Sequence, residues 1–255
     1  MPLTLKTVPC LRDNYAYLIH DASSGRTAVV DVPEAAPIQR ALAESGWVLS
    51  DILITHHHDD HIGGVADLRA ATGATVWGAR ADQHRLPALD HLLEEGDRVT
   101  LGNESGTVID VPGHTVGHIA FYFPDSGLAF TADSLMALGC GRLFEGSAAQ
   151  MWDSLTKLMA LPEDTLMCSG HDYIKGNGAF ALSVDPDNLA LQTRLAELEG
   201  ARAEGKPMAT VSLGVEKATN PFLRASLDYL KDRSGQRAAT DLEMFAYLRD
   251  LKDRF

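Results

Sequence analysis

Six consecutive residues, His56, His57, His58, Asp59, Asp60 and His61, follow the short, largely apolar stretch 51–55 (DILIT). Imidazole and carboxylate groups are good ligands for zinc, iron and manganese, and a strand end feeding a helix holds such side chains rigidly. On extended backbone, residues two apart point the same way, so His56 and His58 are placed to grip one metal while His57 points elsewhere. Asp60 and His61 are adjacent where the chain turns into a helix opening at Ile62-Gly63-Gly64-Val65, so they face a different direction and suggest a second metal. The plainer reading of such a run is a solvated polar loop. A run set between a β strand and a Gly-Gly helix start argues against it.

More donors stand at the ends of later strands. Residues 108–111 are followed by Pro112-Gly113-His114 and then His118, 128–131 by Ala132-Asp133, and 165–168 by Ser169-Gly170-His171. One histidine after a strand is more often a surface or packing residue. The same arrangement three times over, beside the first cluster, is a strong signal for a site.

The elements needed to position these groups are legible from β-branched and apolar runs. Strands are expected at 15–20, 27–31, 51–55, 74–77, 107–111, 118–123, 128–131 and 165–168. Helices are expected at 35–45, 65–72 and 148–161. This mixture predicts an α/β sandwich. Beyond His171 the texture becomes helical, with polar, Leu/Ala/Glu/Arg-rich residues 187–203 and an amphipathic stretch 241–255. The chain therefore divides in sequence into residues 1–171 and a helical region, 172–255.

With 255 residues, 45% of them apolar, the chain can bury a substantial core. A formal charge of −13 argues against a broad grip on nucleic acid or an anionic membrane. An anionic substrate would need a local cluster of Arg and Lys. No apolar run reaches about 18 residues and no leader-like start is seen, so a cytoplasmic protein is expected. Cys10, Cys140 and Cys168 are odd in number and widely spaced. They suggest buried, reduced thiols rather than a disulfide framework or a CxxC metal site.

The motifs THHHDDH, PGHT, FTADS and SGH, in that order, resemble the metal signature of the metallo-β-lactamase superfamily. Over almost the whole chain the resemblance is closer to the hydroxyacylglutathione hydrolase (glyoxalase II) family. DNYAYLI (13–19), PGHTVGH, GCGRLFEG (139–146), GHDY (170–173), TNPFLR (219–224) and the final RDLKDRF carry it. It implies a four-layer αββα sandwich with a helical C-terminal region that binds substrate. It also implies two divalent metal ions, zinc first, with iron or manganese equally suited to the donors. His56, His58 and His114 would hold one ion, and Asp60, His61 and His171 the other, with Asp133 bridging. His118 would be a packing neighbour rather than a ligand.

The activity so implied is hydrolysis of S-(2-hydroxyacyl)glutathione, S-D-lactoylglutathione above all, to glutathione and a 2-hydroxy acid, D-lactate, in methylglyoxal detoxification. A metal-bridged hydroxide is the nucleophile, and Asp60 and Asp133 are the carboxylates closest to the chemistry. A thiolate leaves without a general acid, because its conjugate acid has a pKa near about 8.5. The glutathione part would be held by Arg142, Leu143, Phe144, Tyr173, Lys175, Arg249 and Lys252. Of these, Arg249 and Lys252 are three apart on one helical face. A monomer acting on a small molecule is expected, without nucleic acid or membrane partners.

Three features depart from the family pattern. Ala132 stands where a Gly is usual before the ligand Asp, GHDYI loses a hydroxyl after Tyr173, and Gly176-Asn177-Gly178 is expected to loosen its loop. The rival readings are a mononuclear-iron persulfide dioxygenase using His56, His114 and Asp133, a β-lactamase, a nuclease of the same superfamily, and a non-catalytic metal-binding protein.

Overall fold

Residues 14–30 carry two near-continuous apolar runs about a tight turn and fold back as two antiparallel strands, buried almost throughout, in the first sheet. The structure, a computed structural model, describes residues 2–204, 208 and 210–255. It forms two units, one of residues 1–110 and 116–132, the other of 111–115 and 133–255.

In the first unit β1 (Thr4–Cys10), β2 (Asn14–Asp21) and β3 (Arg26–Val30) pair antiparallel. Helix α1 (Ala35–Ser45) crosses over to β4 (Val48–Leu53), which runs parallel to β3. A short α2 (Asp59–Ile62) and α3 (Val65–Thr72) lead to β5 (Thr75–Ala79), and β6 (His91–Leu93) completes a six-stranded sheet in the order β1-β2-β3-β4-β5-β6. The crossovers lay α1 and α3 against the sheet, burying Ile38, Leu42, Val65 and Leu68 with Leu18, Val29, Ile52 and Val76. An antiparallel run then follows: β7 (Arg98–Leu101), β8 (Glu104–Asp110), β9 (Ile119–Phe123) and β10 (Leu128–Ala132).

The second unit opens with a minimal hairpin, β11 (Leu135–Met136) and β12 (Gly139–Cys140). Helix α4 (Ala148–Met159) starts at a Ser147/Gln150 capping box, which satisfies two end donors of the helix. After β13 (Leu166–Ser169) come α5 (Ile174–Val184) and α6 (Leu189–Ala203). Strand β14 (Thr210–Ser212), antiparallel to β13, precedes α7 (Leu213–Thr219), α8 (Asp228–Arg233) and α9 (Asp241–Asp253). A Thr240/Glu243 capping box starts α9, and Trp152 of α4 packs on Phe245 of α9 with centroids 5.6 Å apart.

Gly176-Asn177-Gly178 does not loosen a loop: it forms the first turn of α5. Asn177 is buried there with its amide on the carbonyl of Ala137, and any side chain at 178 would run into Leu195, so Gly178 serves close packing. All three cysteines are free and buried, and burial raises each thiol pKa, to about 11 for Cys10 and Cys140. Among the described residues no helix is long and apolar enough to cross a membrane.

Candidate metal centre

In the first unit the donors follow from parallel pairing. Strands β3 and β4 run in register from Ala28↔Asp51 to Val30↔Leu53, which brings Asp31, just past β3, beside Thr55. Asp31 is buried with φ 57, in the left-handed region that an Asp tolerates better than most residues. Its Oδ1 accepts from the Thr55 amide at 2.9 Å, and its Oδ2 accepts from the Thr55 hydroxyl at 2.8 Å. The same Oδ2 lies 2.8 Å from His61 Nδ1, and Thr55 Oγ1 lies 3.0 Å from His56 Nδ1. Both rings are fully buried, with one nitrogen fixed from behind and Nε2 left as the ligating atom, the usual arrangement behind a metal-bound imidazole. Ligating atoms of Asp31, His56 and His61 all lie within 4.8 Å of one another. With three contacts already on its oxygens, Asp31 serves to orient the two rings rather than to ligate.

His58 stands at the residue before α2, and its Nδ1 is 3.2 Å from His56 Nε2. Asp60 Oδ2 is 3.9 Å from His61 Nε2, and the Asn14 amide holds Asp60 through both its carbonyl (3.0 Å) and its carboxylate (3.1 Å). His57 points away, as the period-two reading requires, onto Asp82 at 3.1 Å, which Arg85 also engages at 2.6 Å. His118 stacks on His56 with centroids 4.6 Å apart and planes 12° from parallel, and its Nδ1 faces the carbonyl of Ile119. It forms a wall.

In the second unit His114, Asp133 and His171 are all buried. Asp133 Oδ2 lies 3.4 Å from His114 Nε2 and 3.3 Å from His171 Nε2. His114 Nδ1 is fixed by the carbonyl of Arg142 at 2.9 Å, which leaves Nε2 directed at the carboxylate. Two ligands on a tetrahedral ion with bonds of about 2.0–2.1 Å lie about 3.3–3.4 Å apart. The His114–Asp133 and His171–Asp133 separations, and the His56–His58 one, match that edge. This donor set fits divalent metal ions.

Ala132, just before Asp133, is buried with φ 40. A non-Gly residue there costs roughly 1–2 kcal/mol, and a Gly would give back about 0.4–1 through the unfolded chain. Ala132→Gly is therefore expected to stabilise by about 0.5–1 kcal/mol, a rise in Tm of about 1–2 °C by calorimetry. A lower Tm would show that the backbone there is not strained.

Of the residues expected to hold substrate, Phe144 and Tyr173 are exposed aromatic rings beside candidate donor histidines, the first tilted and the second stacked. Phe144 is 5.2 Å from His114, and Tyr173 is stacked 4.6 Å from His171 at 8°. Arg142 is exposed, 3.8 Å from Asp253, with Leu143 half-buried beside it, and Lys175 is exposed. Arg249 and Lys252 share α9 but have different surroundings. Arg249 is 4% exposed, with Nη1 donating to the carbonyl of Cys140 at 2.9 Å and Nη2 to Asp253 at 2.8 Å. Lys252 lies over Phe180 and Phe255 and donates to the carbonyl of Gly176 at 2.9 Å. Partial burial first, then the nearby Arg249 and Arg142 charges, lower its pKa. Asp31 and Asn14 do not stand out in the sequence. Asn14 had a signal, since it belongs to the DNYAYLI motif; Asp31 had only its place at a strand end.

The metallo-β-lactamase superfamily matches residues 11–171, and the hydroxyacylglutathione hydrolase C-terminus matches residues 172–255. The chain is 62% identical to the hydroxyacylglutathione hydrolases of Cereibacter sphaeroides and Fuscovulum blasticum, over 255 residues and all of each chain. It is 59% identical to that of Ruegeria pomeroyi, again over all of both chains. Among solved structures it resembles ETHE1 from Myxococcus xanthus (TM-score 0.68, 26% identity, 98% of this chain and 90% of that one). It also resembles TTHA1623 in a di-iron-bound form (TM-score 0.63, 25% identity, 86% of this chain and 100% of that one).

Proposed function

Because this chain belongs to the metallo-β-lactamase superfamily and, within it, to the hydroxyacylglutathione hydrolases, we propose that it hydrolyses S-(2-hydroxyacyl)glutathione, S-D-lactoylglutathione first, to glutathione and a 2-hydroxy acid. The observation that carries this reading is Asp133. One of its oxygens lies at a metal-polyhedron edge from both His114 and His171, and the same two rings carry the exposed Phe144 and Tyr173.

The donors His56, His58, Asp60 and His61 of one unit, and His114, Asp133 and His171 of the other, are enough for two divalent ions. We assign His56, His58 and His114 to one ion, Asp60, His61 and His171 to the second, and Asp133 to both. Ions held there would supply a hydroxide near neutral pH and polarise the thioester carbonyl. The chain's own part is orientation. Asp31 and Thr55 fix His61 and His56, Asn14 fixes Asp60, and the carbonyl of Arg142 fixes His114. The leaving thiolate needs no protonation to depart, which suits a site whose carboxylates serve as ligands.

Arg142 with Leu143, Phe144, Tyr173 and Lys175 would receive the glutathione part, and Arg249 and Lys252 would supply positive charge from α9. Functionally, residues 1–171 would carry the chemistry and 172–255 substrate recognition. We assign zinc as the first metal, with iron or manganese as substitutes, and a monomeric protein of the cytoplasm whose role is methylglyoxal detoxification. The test is thiol release from S-D-lactoylglutathione with and without a chelator, beside a metal count. About two ions per chain and chelator-sensitive release are expected. Release that survives complete removal of metal would refute the reading.

A further inference from the structure

The turn between β11 and β12 has an unusual set of partners. Over five consecutive residues its main chain is held by side chains from far along the sequence. Asn220 donates to the carbonyls of Met136 (3.3 Å) and Gly139 (2.9 Å). Asn177 donates to that of Ala137 (3.0 Å), and Arg249 to that of Cys140 (2.9 Å). The amide of Leu138 donates to both oxygens of Glu216, at 3.3 and 3.1 Å. Leu138 itself sits at φ 58, a conformation the turn would not hold unaided.

Glu216 is fully buried and Arg194 is 5% exposed. Arg194 pairs with Glu216 at 2.5 Å and also donates to Thr219, while Asn220 donates to the other Glu216 oxygen at 2.9 Å. A carboxylate is rarely taken this deep unless its lone pairs are used, and here Arg194, Asn220 and the Leu138 amide of the turn use them. The turn leads straight into residues 141–144. The Gly141 amide donates to the carbonyl of Ser134 at 3.3 Å, and a Cβ at Gly141 would lie 2.0 Å from the Asp133 carbonyl oxygen, so this stretch is pressed against the Asp133 backbone. The next carbonyl, that of Arg142, orients His114. Residues 141–144 therefore meet the Asp133 backbone on one side and continue directly from the held turn on the other.

We infer that Glu216 and Asn220, with Arg194 neutralising Glu216, are positioning residues for glutathione binding: they hold the 136–140 turn in the shape that presents Arg142 and Phe144. This rests on the reading that Arg142 and Phe144 receive the glutathione part. It gives TNPFLR a task, since Thr219 and Asn220 begin that motif.

The test compares Arg194→Met/Glu216→Gln with Arg194→Met/Glu216→Leu. Both remove the buried ion pair, which is often nearly neutral for stability, and they differ chiefly in whether Leu138 keeps an acceptor. S-methylglutathione, which cannot be hydrolysed, is the probe, with Kd from calorimetry on metal-loaded protein. The glutamine variant is expected to bind within about threefold of the parent, and the leucine variant about tenfold or more weaker, the equivalent of one lost buried hydrogen bond. Metal content should be equal in both. With S-D-lactoylglutathione, KM should rise while kcat stays within about threefold. If the leucine variant does not fold, Asn220→Ser carries the same expectation of weaker binding. Equal Kd in the variants that fold overturns the inference while leaving the proposed function standing. A parent protein that binds no S-methylglutathione overturns both.

Discussion

Asp133→Ala is expected to lower hydrolysis of the thioester by about 10³-fold or more and to lower the metal content. In its place two imidazoles, His114 and His171, lose the carboxylate oxygen that lies 3.4 and 3.3 Å from them. A carboxylate shared by two cations offsets their mutual repulsion, and Lewis-acid stabilisation of transition-state charge is worth several kcal/mol, each 1.4 kcal/mol being tenfold in rate. The variant should stay folded, because Ala at a site just past β10 fits the volume and removes a buried charge. Elemental analysis of the purified variant, with circular dichroism as a check on folding, measures both. Full metal content with near-parental turnover would end the bridging assignment.

Asp31→Asn is expected to weaken metal retention and activity by about 10–100-fold, the range typical of changes behind a metal ligand. The Asp31 carboxylate faces the Thr55 amide, the Thr55 hydroxyl and His61 Nδ1. An amide has one accepting oxygen and one donating nitrogen. Either the NH₂ faces the Thr55 amide, donor against donor, or it faces His61 Nδ1. In the second case the ring must carry its proton on Nε2, the atom the metal needs. Competition for zinc against a chelator of fixed affinity reads the effect directly. Unchanged retention would leave Asp31 as a folding residue only.

The donor cluster was readable because its spacing reports local geometry. His56 and His58 lie two apart on extended chain, His57 turns away to Asp82, and Asp60 and His61 fall in a helical turn. The expected helices at 35–45 and 65–72 match α1 and α3 residue for residue, since each is a compact apolar face ended by Gly. What stayed hidden depends on long-range pairing. Asp31 becomes the partner of Thr55 and His61 only once β3 and β4 lie parallel in one register, and no spacing within 31–61 announces it. Strand β1 escaped notice because Pro9 weakens a strand pattern, and β1 is an edge, where proline is tolerated. Strands β11 and β12 are two residues each, too short for any period to show. Gly176-Asn177-Gly178 read as a loose loop from composition, whereas Asn177 is committed to Ala137, a partner 40 positions earlier.

The turn at 136–140 also says something about synthesis. Its partners lie 40 to 109 positions later in the chain. On a growing polypeptide the segment therefore emerges well before anything that can hold it, and its peptide groups stay hydrated until Asn177, Glu216, Asn220 and finally Arg249 leave the ribosome. The proposed metal donors are complete by His171, so a nascent chain can possess every one of them while its proposed recognition segment is still unshaped. Competence towards substrate would arrive last, with the closing helix.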